Sequence, residues 1–256
     1  MIRLLPQLAL LLMVALAASP VRAERVVTTL SNQDVEVSSS FAGEKLTIFG
    51  NIEADTGAPA RSVEGPYHAV IVIEGPRQSR VARQESNRLG IWSNTDQVVF
   101  KDFPSYYHVL ASGKLADLAD PVLLTELKIL PEDQARFAAD ADWWKATVFG
   151  RELVRLMTAR GLIGIDEQGV QFLSETAYSA RMTLPSDITN GPFVAHTYVL
   201  KDGAIVAEDV QGFSVRKVGF ERFLGNSARQ YALPYGLVCV LLAIGTGWLG
   251  GVVFRR

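Results

Sequence analysis

The sequence predicts a mainly β protein: β-sandwich lobes of immunoglobulin-like form, a two-helix insertion and one C-terminal transmembrane helix. Three observations lead to this prediction. Short runs rich in β-branched and aromatic residues recur at the spacing of about 8–12 residues that is typical of sandwiches. Helical periodicity is confined to the middle of the chain. One uncharged segment near the end is long enough to cross a bilayer.

The first β lobe is expected at residues 24–125. Residues 44–49 have the β-rich, alternating character of a strand with one buried face. Residues 69–73 form a continuous apolar run rich in branched side chains, which predicts a strand buried on both faces. Further short strands are expected at residues 90–92, 98–100 and 106–110.

A helical segment is expected at residues 126–164. Pro131 followed by two carboxylates is typical of the first turn of a helix, where the helix dipole favours negative charge. A second helix should run from about Asp142 to Arg160, because Gly161 is a natural stop. Its apolar side chains fall on one stripe that we expect to be buried: Phe149, Leu153, Leu156 and Met157.

A second β lobe is expected at residues 165–220. Asp202 and Gly203 form the pair that favours a tight type I′ hairpin turn. The lobe is shorter than the ~100 residues of a complete immunoglobulin-like sandwich. It is either a reduced sandwich or packs on the helices and the first lobe. Its strands are expected at residues 170–173, 178–184, 193–200, 204–208 and 213–218.

The two ends of the chain predict a membrane protein. Residues 1–23 have the basic start, apolar stretch and small-residue cleavage site of a signal peptide, although an uncleaved anchor is the alternative. Residues 221–230 are expected to be a juxtamembrane linker. Residues 231–254 carry no charge and should span the bilayer, leaving residues 255–256, two arginines, in the cytoplasm. We therefore expect a single-pass inner-membrane protein with its N-terminal domain in the periplasm.

Charge and cysteine content exclude some functions. Four of the 25 basic residues lie in the two ends, so 21 remain against 27 acidic residues between them, a net charge of −6. Nucleic acid is a disfavoured partner, because phosphate binding needs a basic face. Cys239, the single cysteine, lies in the predicted membrane helix, so the outer domain must be held by an apolar core rather than disulfides.

Catalytic and metal-binding motifs are not recognisable in the sequence. His68, His108 and His196 stand in no metal-ligand spacing and read as ordinary strand histidines. The nucleophile elbow, the phosphate-binding loop and the dinucleotide fingerprint do not occur. We expect no enzyme activity, no cofactor and no metal. An enzyme whose site forms only in three dimensions is the alternative.

The densest basic stretch contains Arg77, Arg80, Arg83 and Arg88. Guanidinium groups bind oxyanions through paired hydrogen bonds, so this stretch is a candidate anion site. Glu85 lies within it and would neutralise part of the charge. The alternative interpretation is a solvated hairpin face.

Two features are candidates for contact with a partner. Ala243, Gly247 and Gly251 recur every four residues in the membrane helix, where small side chains let another helix approach closely. The partner would be a second copy or a multi-span membrane protein, although glycine is also common in membrane helices generally. Trp143 and Trp144 are either core residues or an exposed aromatic anchor.

Four phrases resemble a family of alphaproteobacterial transmembrane proteins: SSSFAGEKLTIFG at 38–50, LGIWSN at 89–94, FPSYY at 103–107 and RKVGFERFL at 216–224. The resemblance extends over nearly the whole chain after the signal peptide. It implies an inner-membrane protein with a periplasmic domain and no assigned activity, and it brings no catalytic residues. It also implies a loose association with small-anion exporters.

These observations favour a non-enzymatic function. The β-rich domain is expected to bind a protein partner or to assist a membrane complex, such as a transporter. The first alternative is a module that captures a small anion at the arginine stretch and passes it to an exporter. The second alternative is the enzyme with a site formed only in three dimensions.

Overall fold

The computed structural model describes residues 24–38, 44–54, 65–88, 90–218 and 220–253. The predicted signal peptide and the two terminal arginines lie outside these residues. The strands are β1 (Glu24–Leu30), β2 (Asp34–Ser38), β3 (Glu44–Ala54), β4 (His68–Glu74), β5 (Arg77–Arg88), β6 (Ile91–Pro104), β7 (Tyr107–Ala111), β8 (Ile163–Asp166), β9 (Val170–Phe172), β10 (Ala177–Leu184), β11 (Gly191–Lys201) and β12 (Ala204–Val218). The helices are α1 (Leu115–Leu118), α2 (Pro121–Glu126), α3 (Pro131–Ala138), α4 (Trp143–Ala159), α5 (Phe220–Gln230) and α6 (Ala232–Val253).

The strands form two larger sheets and a hairpin. The four-stranded sheet has the order β1-β3-β10-β9 and is antiparallel. The six-stranded sheet has the order β2-β12-β11-β4-β7-β8, and its two edge strands, β2 and β8, pair parallel to their neighbours. Strands β5 and β6 form a separate hairpin. The predicted mainly β fold with a C-terminal apolar helix is confirmed, and the immunoglobulin-like form stays a prediction.

Strand β4 lies inside the six-stranded sheet and is buried on both faces. Its central residues, 69–73, are at most 5% exposed, as the sequence predicts. The helical region covers the face of β4 on which Tyr107 of the neighbouring strand β7 also lies. On this side the Tyr107 hydroxyl donates to the carbonyls of Lys128 and Ile129 at 3.0 and 3.1 Å. The other face belongs to one continuous apolar core with the four-stranded sheet.

The four-stranded sheet turns one face to this core. In β3, Leu46, Ile48 and Ile52 are buried, whereas Lys45 and Phe49, at the alternate positions, are exposed. This alternation follows from the two-residue period of a strand.

Each of the two larger sheets contains strands that precede the helical region and strands that follow it. Strand β10 pairs with β3, and β11 lies between β4 and β12. The shorter second segment thus packs on the first, which is one of the two arrangements that its length left open.

Two strands are longer than the sequence pattern predicts. The strands expected at residues 90–92 and 98–100 belong to one strand, β6, except for Gly90, which lies in the turn before it. The strands expected at residues 204–208 and 213–218 likewise belong to one strand, β12. The polar residues 93–97 of β6 resemble a loop because all of them except the half-buried Asp96 are exposed. A ribbon without a buried face needs no apolar alternation, so the usual strand pattern does not mark it.

The helical region is richer than predicted. The two expected helices are α3 and α4, but α1 and α2 precede them, so the described insertion holds four helices rather than two and begins at Leu115 rather than 126. Helix α2 has a sequence signal that identifies its start, because Pro121 occupies its first turn and the Asp120 carboxylate accepts from the Val122 N–H at 2.8 Å.

Helix α4 packs closely on α3. A Cβ atom added at Gly150 of α4 would lie 3.1 Å from Ala135 Cβ, so the glycine allows the two helices to approach. Phe149, Leu153 and Met157 are buried as predicted, but Leu156 is exposed. Leu156 lies at the border of the apolar stripe, where a small rotation of the helix moves a side chain from core to surface.

The turn between β11 and β12 has the predicted type I′ geometry. Asp202 and Gly203 have φ values of 52° and 78°. Positive φ at both central positions is the requirement of this turn, and its twist matches that of the strands it joins.

The end of the chain is helical. The span Ala232–Val252 in α6 is long and apolar enough to cross a membrane. The segment expected as a juxtamembrane linker, residues 221–230, lies in helix α5. A short turn at Tyr231 separates the two helices, and the Tyr231 N–H donates to the Ser227 carbonyl at 2.9 Å.

Gly50 in β3 leaves room for a tyrosine. It lies opposite Tyr178 of β10, and a Cβ atom at this position would overlap the Tyr178 ring. We expect Gly50→Ala to lower the free energy of unfolding by about 1–3 kcal/mol, because the buried ring must move. Gly212→Ala in β12 is the control, since the nearest atom to its added Cβ is 4.0 Å away. Urea unfolding of the full chain in detergent measures both, and equal losses would contradict this role of Gly50.

Candidate functional site

The arginines predicted to bind an anion lie on the hairpin β5–β6 and do not converge in the described part of it. Arg80 and Arg83 lie opposite Phe100 and Gln97 in a regular part of the ladder. Residues three apart in a strand point to opposite faces. The side chain of Arg88 is outside the described residues. An anion site built from these arginines stays a prediction, and the strand register does not favour it.

Arg77 is held by its neighbours. Its guanidinium donates to both carboxylate oxygens of Glu74, at 2.5 and 3.1 Å, and to the Asp102 carbonyl at 2.8 Å. It also donates to the Gln134 side chain in α3 at 3.3 Å. These contacts neutralise its charge and fasten the base of the hairpin to β4 and α3.

Arg80 and Arg83 have different surroundings. The Arg80 side chain is half-buried, and burial lowers its pKa from the usual value. The Arg83 side chain is exposed and donates from Nε to the Gln97 side chain at 3.4 Å. Neither arrangement resembles a pair of guanidinium groups directed at one anion.

The three histidines lie apart. His68 begins β4, and His108 in β7 pairs with Ile73 at the other end of β4, about 17 Å away along the strand. His196 lies in β11 and stacks on Tyr198. Within the described residues no group of three metal-ligating side chains occurs.

His108 is enclosed by its neighbours. Its ring stacks on Tyr106 with centroids 4.7 Å apart, and Nε2 lies 3.3 Å from the Gly161 carbonyl oxygen. The ring also lies over Gly164, where an added Cβ would be 2.6 Å from the imidazole. Burial lowers the pKa of His108, and the nearby Gly161 carbonyl and Asp166 carboxylate oppose this shift.

A cleft of about 740 Å³ lies beside His108, between β3 and β10 of one sheet and β7 and β8 of the other. Strand β9 pairs only with residues 178–180 of β10, so the remainder of β10 has no described strand on that side. Lys45, Arg181 and Asp166 line the cleft with apolar side chains between them. Its size suits a small ligand, and the sequence gives no signal for it because the lining residues come from four distant strands.

One face of helix α4 exposes large apolar side chains. Trp143 and Trp144 are 69% and 57% exposed, so they are not the core residues that one interpretation of the sequence suggests. Val148 and Leu156 continue the exposed face from Trp144 at four- and twelve-residue spacing. We call Trp144, Val148 and Leu156 the α4 apolar face; Trp143 lies in the first turn on the other side of the helix, in line with the buried Gly150 and Val154. An exposed apolar patch of this kind on a soluble domain often marks a contact surface.

The outer half of the hairpin is also exposed. Ile91 and Trp92, which follow the turn at Gly90, are 70% and 68% exposed. The inner half is held by the helical region, because Asp140 donates its N–H to the Val99 carbonyl at 2.8 Å and Lys145 contacts Asp96 at 2.7 Å. The hydrogen bond from Lys145 lowers the pKa of Asp96.

The membrane helix presents its small residues outward. Added Cβ atoms at Gly247 and Gly251 would meet no atom within 4 Å in the described chain. With Ala243, they fall on one stripe of α6. The predicted helix-packing stripe therefore has room for a second helix, and whether one binds stays a prediction.

Comparison with known proteins gives one family. A family model described as "Putative transmembrane protein (Alph_Pro_TM)" matches residues 25–256. A search of curated proteins finds no match.

The environment of His108 predicts a pH dependence of stability. A pKa lower in the folded than in the unfolded state means that unfolding takes up a proton, so stability should fall as pH drops below about 6.5. The variant His108→Gln should lose this part of the pH dependence. Urea unfolding of both proteins between pH 8 and pH 5.5 measures it, and an unchanged slope in the variant would exclude His108 as its source.

Proposed function

Because the chain belongs to the Alph_Pro_TM family of transmembrane proteins, we propose that it is a non-enzymatic single-pass protein of the inner membrane. Its β-rich domain binds a protein partner or assists a membrane complex such as a transporter. The α4 apolar face carries this proposal.

The α4 apolar face is unusual for a domain with a large core of its own. Helix α4 already buries Phe149, Leu153 and Met157 against the domain. The exposed Trp144 and Val148 contribute nothing to that core. Tryptophan side chains placed on a partner bury a large apolar area and are enriched among the residues that dominate binding energy.

The helix is also held firmly before any partner arrives. Gly150 lets α4 approach Ala135 of α3, and Lys145 is paired with Asp96 of the hairpin. A contact surface that is already ordered loses little conformational entropy on binding. This arrangement supports a docking function for the face.

The membrane helix supports the same proposal from within the bilayer. Apolar side chains gain nothing by leaving lipid for another apolar surface, so helix association there depends on close packing of small residues. The stripe of Ala243, Gly247 and Gly251 provides such a surface. A multi-span partner would contact both the stripe and the domain above it.

The placement of the domain in the periplasm rests first on the predicted signal peptide at residues 1–23, which directs the following chain outward, and the terminal arginines agree with it although Arg222 and Arg229 lie on the domain side. Two arginines follow the membrane helix at the end of the chain. Basic residues beside a membrane helix favour the cytoplasmic side. The β-rich domain then faces the periplasm.

The α4 apolar face can be tested by substitution. We expect the double variant Trp144→Ser, Val148→Ser to lower recovery of the co-purifying partner at least tenfold in mild detergent, because the aromatic contact is lost. Both side chains are exposed, so the fold should be unchanged. The control is Leu173→Ser, an equally exposed leucine in the loop after β9. Quantitative mass spectrometry measures recovery, and full recovery with the double variant would refute the proposal.

The stripe on α6 allows a matched comparison within one helix. Gly247→Leu should weaken association, because a branched side chain holds the two helices apart. Gly245→Leu adds the same bulk about 160° from the centre of the stripe, since each residue advances 100°. Cross-linking in native membranes should show a loss for Gly247→Leu alone. Equal behaviour of the two variants would count against helix packing through this stripe.

A further inference from the structure

The outer half of the hairpin has no cover in the described chain. Residues 91–95 of β6 are exposed at every position, and on the facing strand Glu85 and Asn87 are exposed while Ser86 is half-buried. A two-stranded ribbon with neither face covered is marginally stable in water. Ile91 and Trp92 at its end are larger and more apolar than a turn requires.

The hairpin leaves the six-stranded sheet at the end nearest the membrane helix. Glu74, at the end of β4, lies opposite Val194 of β11, and Val194 lies opposite Gly212 of β12. Strand β12 runs from there to Val218, from which the chain continues into α5 and α6. The ends of β4 and β12 therefore point the same way.

The ladder of β4 and β7 continues into the hairpin without a break. The Gly75 N–H donates to the Tyr106 carbonyl at 2.9 Å, and the Ser105 N–H donates to the Pro76 carbonyl at 3.1 Å. Arg77 then lies opposite Pro104, as the first pair of β5 and β6. The hairpin is thus an extension of the central strands of the sheet.

The hairpin is long enough to reach a bilayer. Twelve residues of β5 extend about 40 Å at 3.3 Å per residue. From the level of Glu74, β12 continues from Gly212 to Val218 for about 20 Å, and the eleven residues of helix α5 add about 16 Å. The hairpin therefore exceeds the length of chain that joins the sheet to the membrane.

The charge of the hairpin differs from that of the domain. Residues 80–92 contain three arginines and one glutamate, a net charge of +2, whereas the chain between its two ends has a net charge of −6. Basic residues beside tryptophan and an aliphatic side chain are the composition of segments that bind at the headgroup boundary of a bilayer.

We propose that the hairpin tip, Ile91 and Trp92, inserts at the surface of the same bilayer that α6 crosses. The two apolar side chains enter the boundary with the acyl chains, and the net positive charge of the hairpin favours an anionic surface. The membrane thereby provides the cover that the outer half of the ribbon lacks. This contact does not depend on the partner binding proposed above.

The test places one fluorophore at the tip. Full-length protein carrying Cys239→Ala and Trp92→Cys is labelled with NBD and placed, one copy per nanodisc, in phosphatidylcholine and phosphatidylglycerol at 3:1. Lipids with a nitroxide near the headgroup serve as quencher. Relative to NBD at the control position Asp202→Cys, we expect NBD at position 92 to emit at shorter wavelength and to be quenched at least threefold more. Asp202 lies in the β11–β12 turn, at the opposite end of the sheet.

Each outcome decides the proposal. Quenching at position 92 no greater than at position 202 would overturn it and leave the tip free for a protein partner. Adding Ile91→Ser should reduce the quenching of NBD at position 92 at least twofold. Unchanged quenching would show that the tip is not inserted through its apolar side chains. A single copy per nanodisc prevents a second chain from covering the tip.

Discussion

The structure depends on keeping both faces of β4 from water. Adjacent side chains of a strand point to opposite faces of the sheet. The five successive apolar residues of β4 therefore need a covering layer on each face. The four-stranded sheet covers one face and the helical region covers the other. Tyr107 fixes the second cover through its hydroxyl contacts to the carbonyls of Lys128 and Ile129. The position of α3 and α4, and so of the α4 apolar face, follows from this requirement.

Elements with a clear burial pattern could be predicted from the sequence. Strand β3 and helix α4 carry apolar residues at the period of their own geometry, and β4 carries the unbroken apolar run of a strand buried on both faces. Strand β5 could not, because its residues are mostly polar and, among those whose side chains are described, Ala82 alone packs against the core. Strand β8 has only four residues and depends on pairing with β7. Its position is set by the end of α4 rather than by its own composition.

The candidate sites show the same limit. Arg80 and Arg83 are close in sequence, but strand alternation points them to opposite faces, so their linear density does not by itself bring them together. Trp143 and Trp144 could be identified as notable, but only the packing of α4 on α3 shows that they are exposed. The cleft beside His108 draws its lining from both sheets. Sequence patterns describe neighbours along the chain, and these arrangements arise from neighbours in space.

The parallel pairing of β2 with β12 has a mechanical consequence. Strand β12 leads directly toward the membrane helix and is held on one side by β11 and on the other by β2. A pull transmitted from the bilayer acts along the axis of β12. The hydrogen bonds from β12 to its two neighbours run across that axis, slanted on the side of β2, so they are loaded together in shear instead of opening in succession. The pairing of β12 with β2 and β11 therefore connects the domain to the membrane helix in a way that resists tension along the strand.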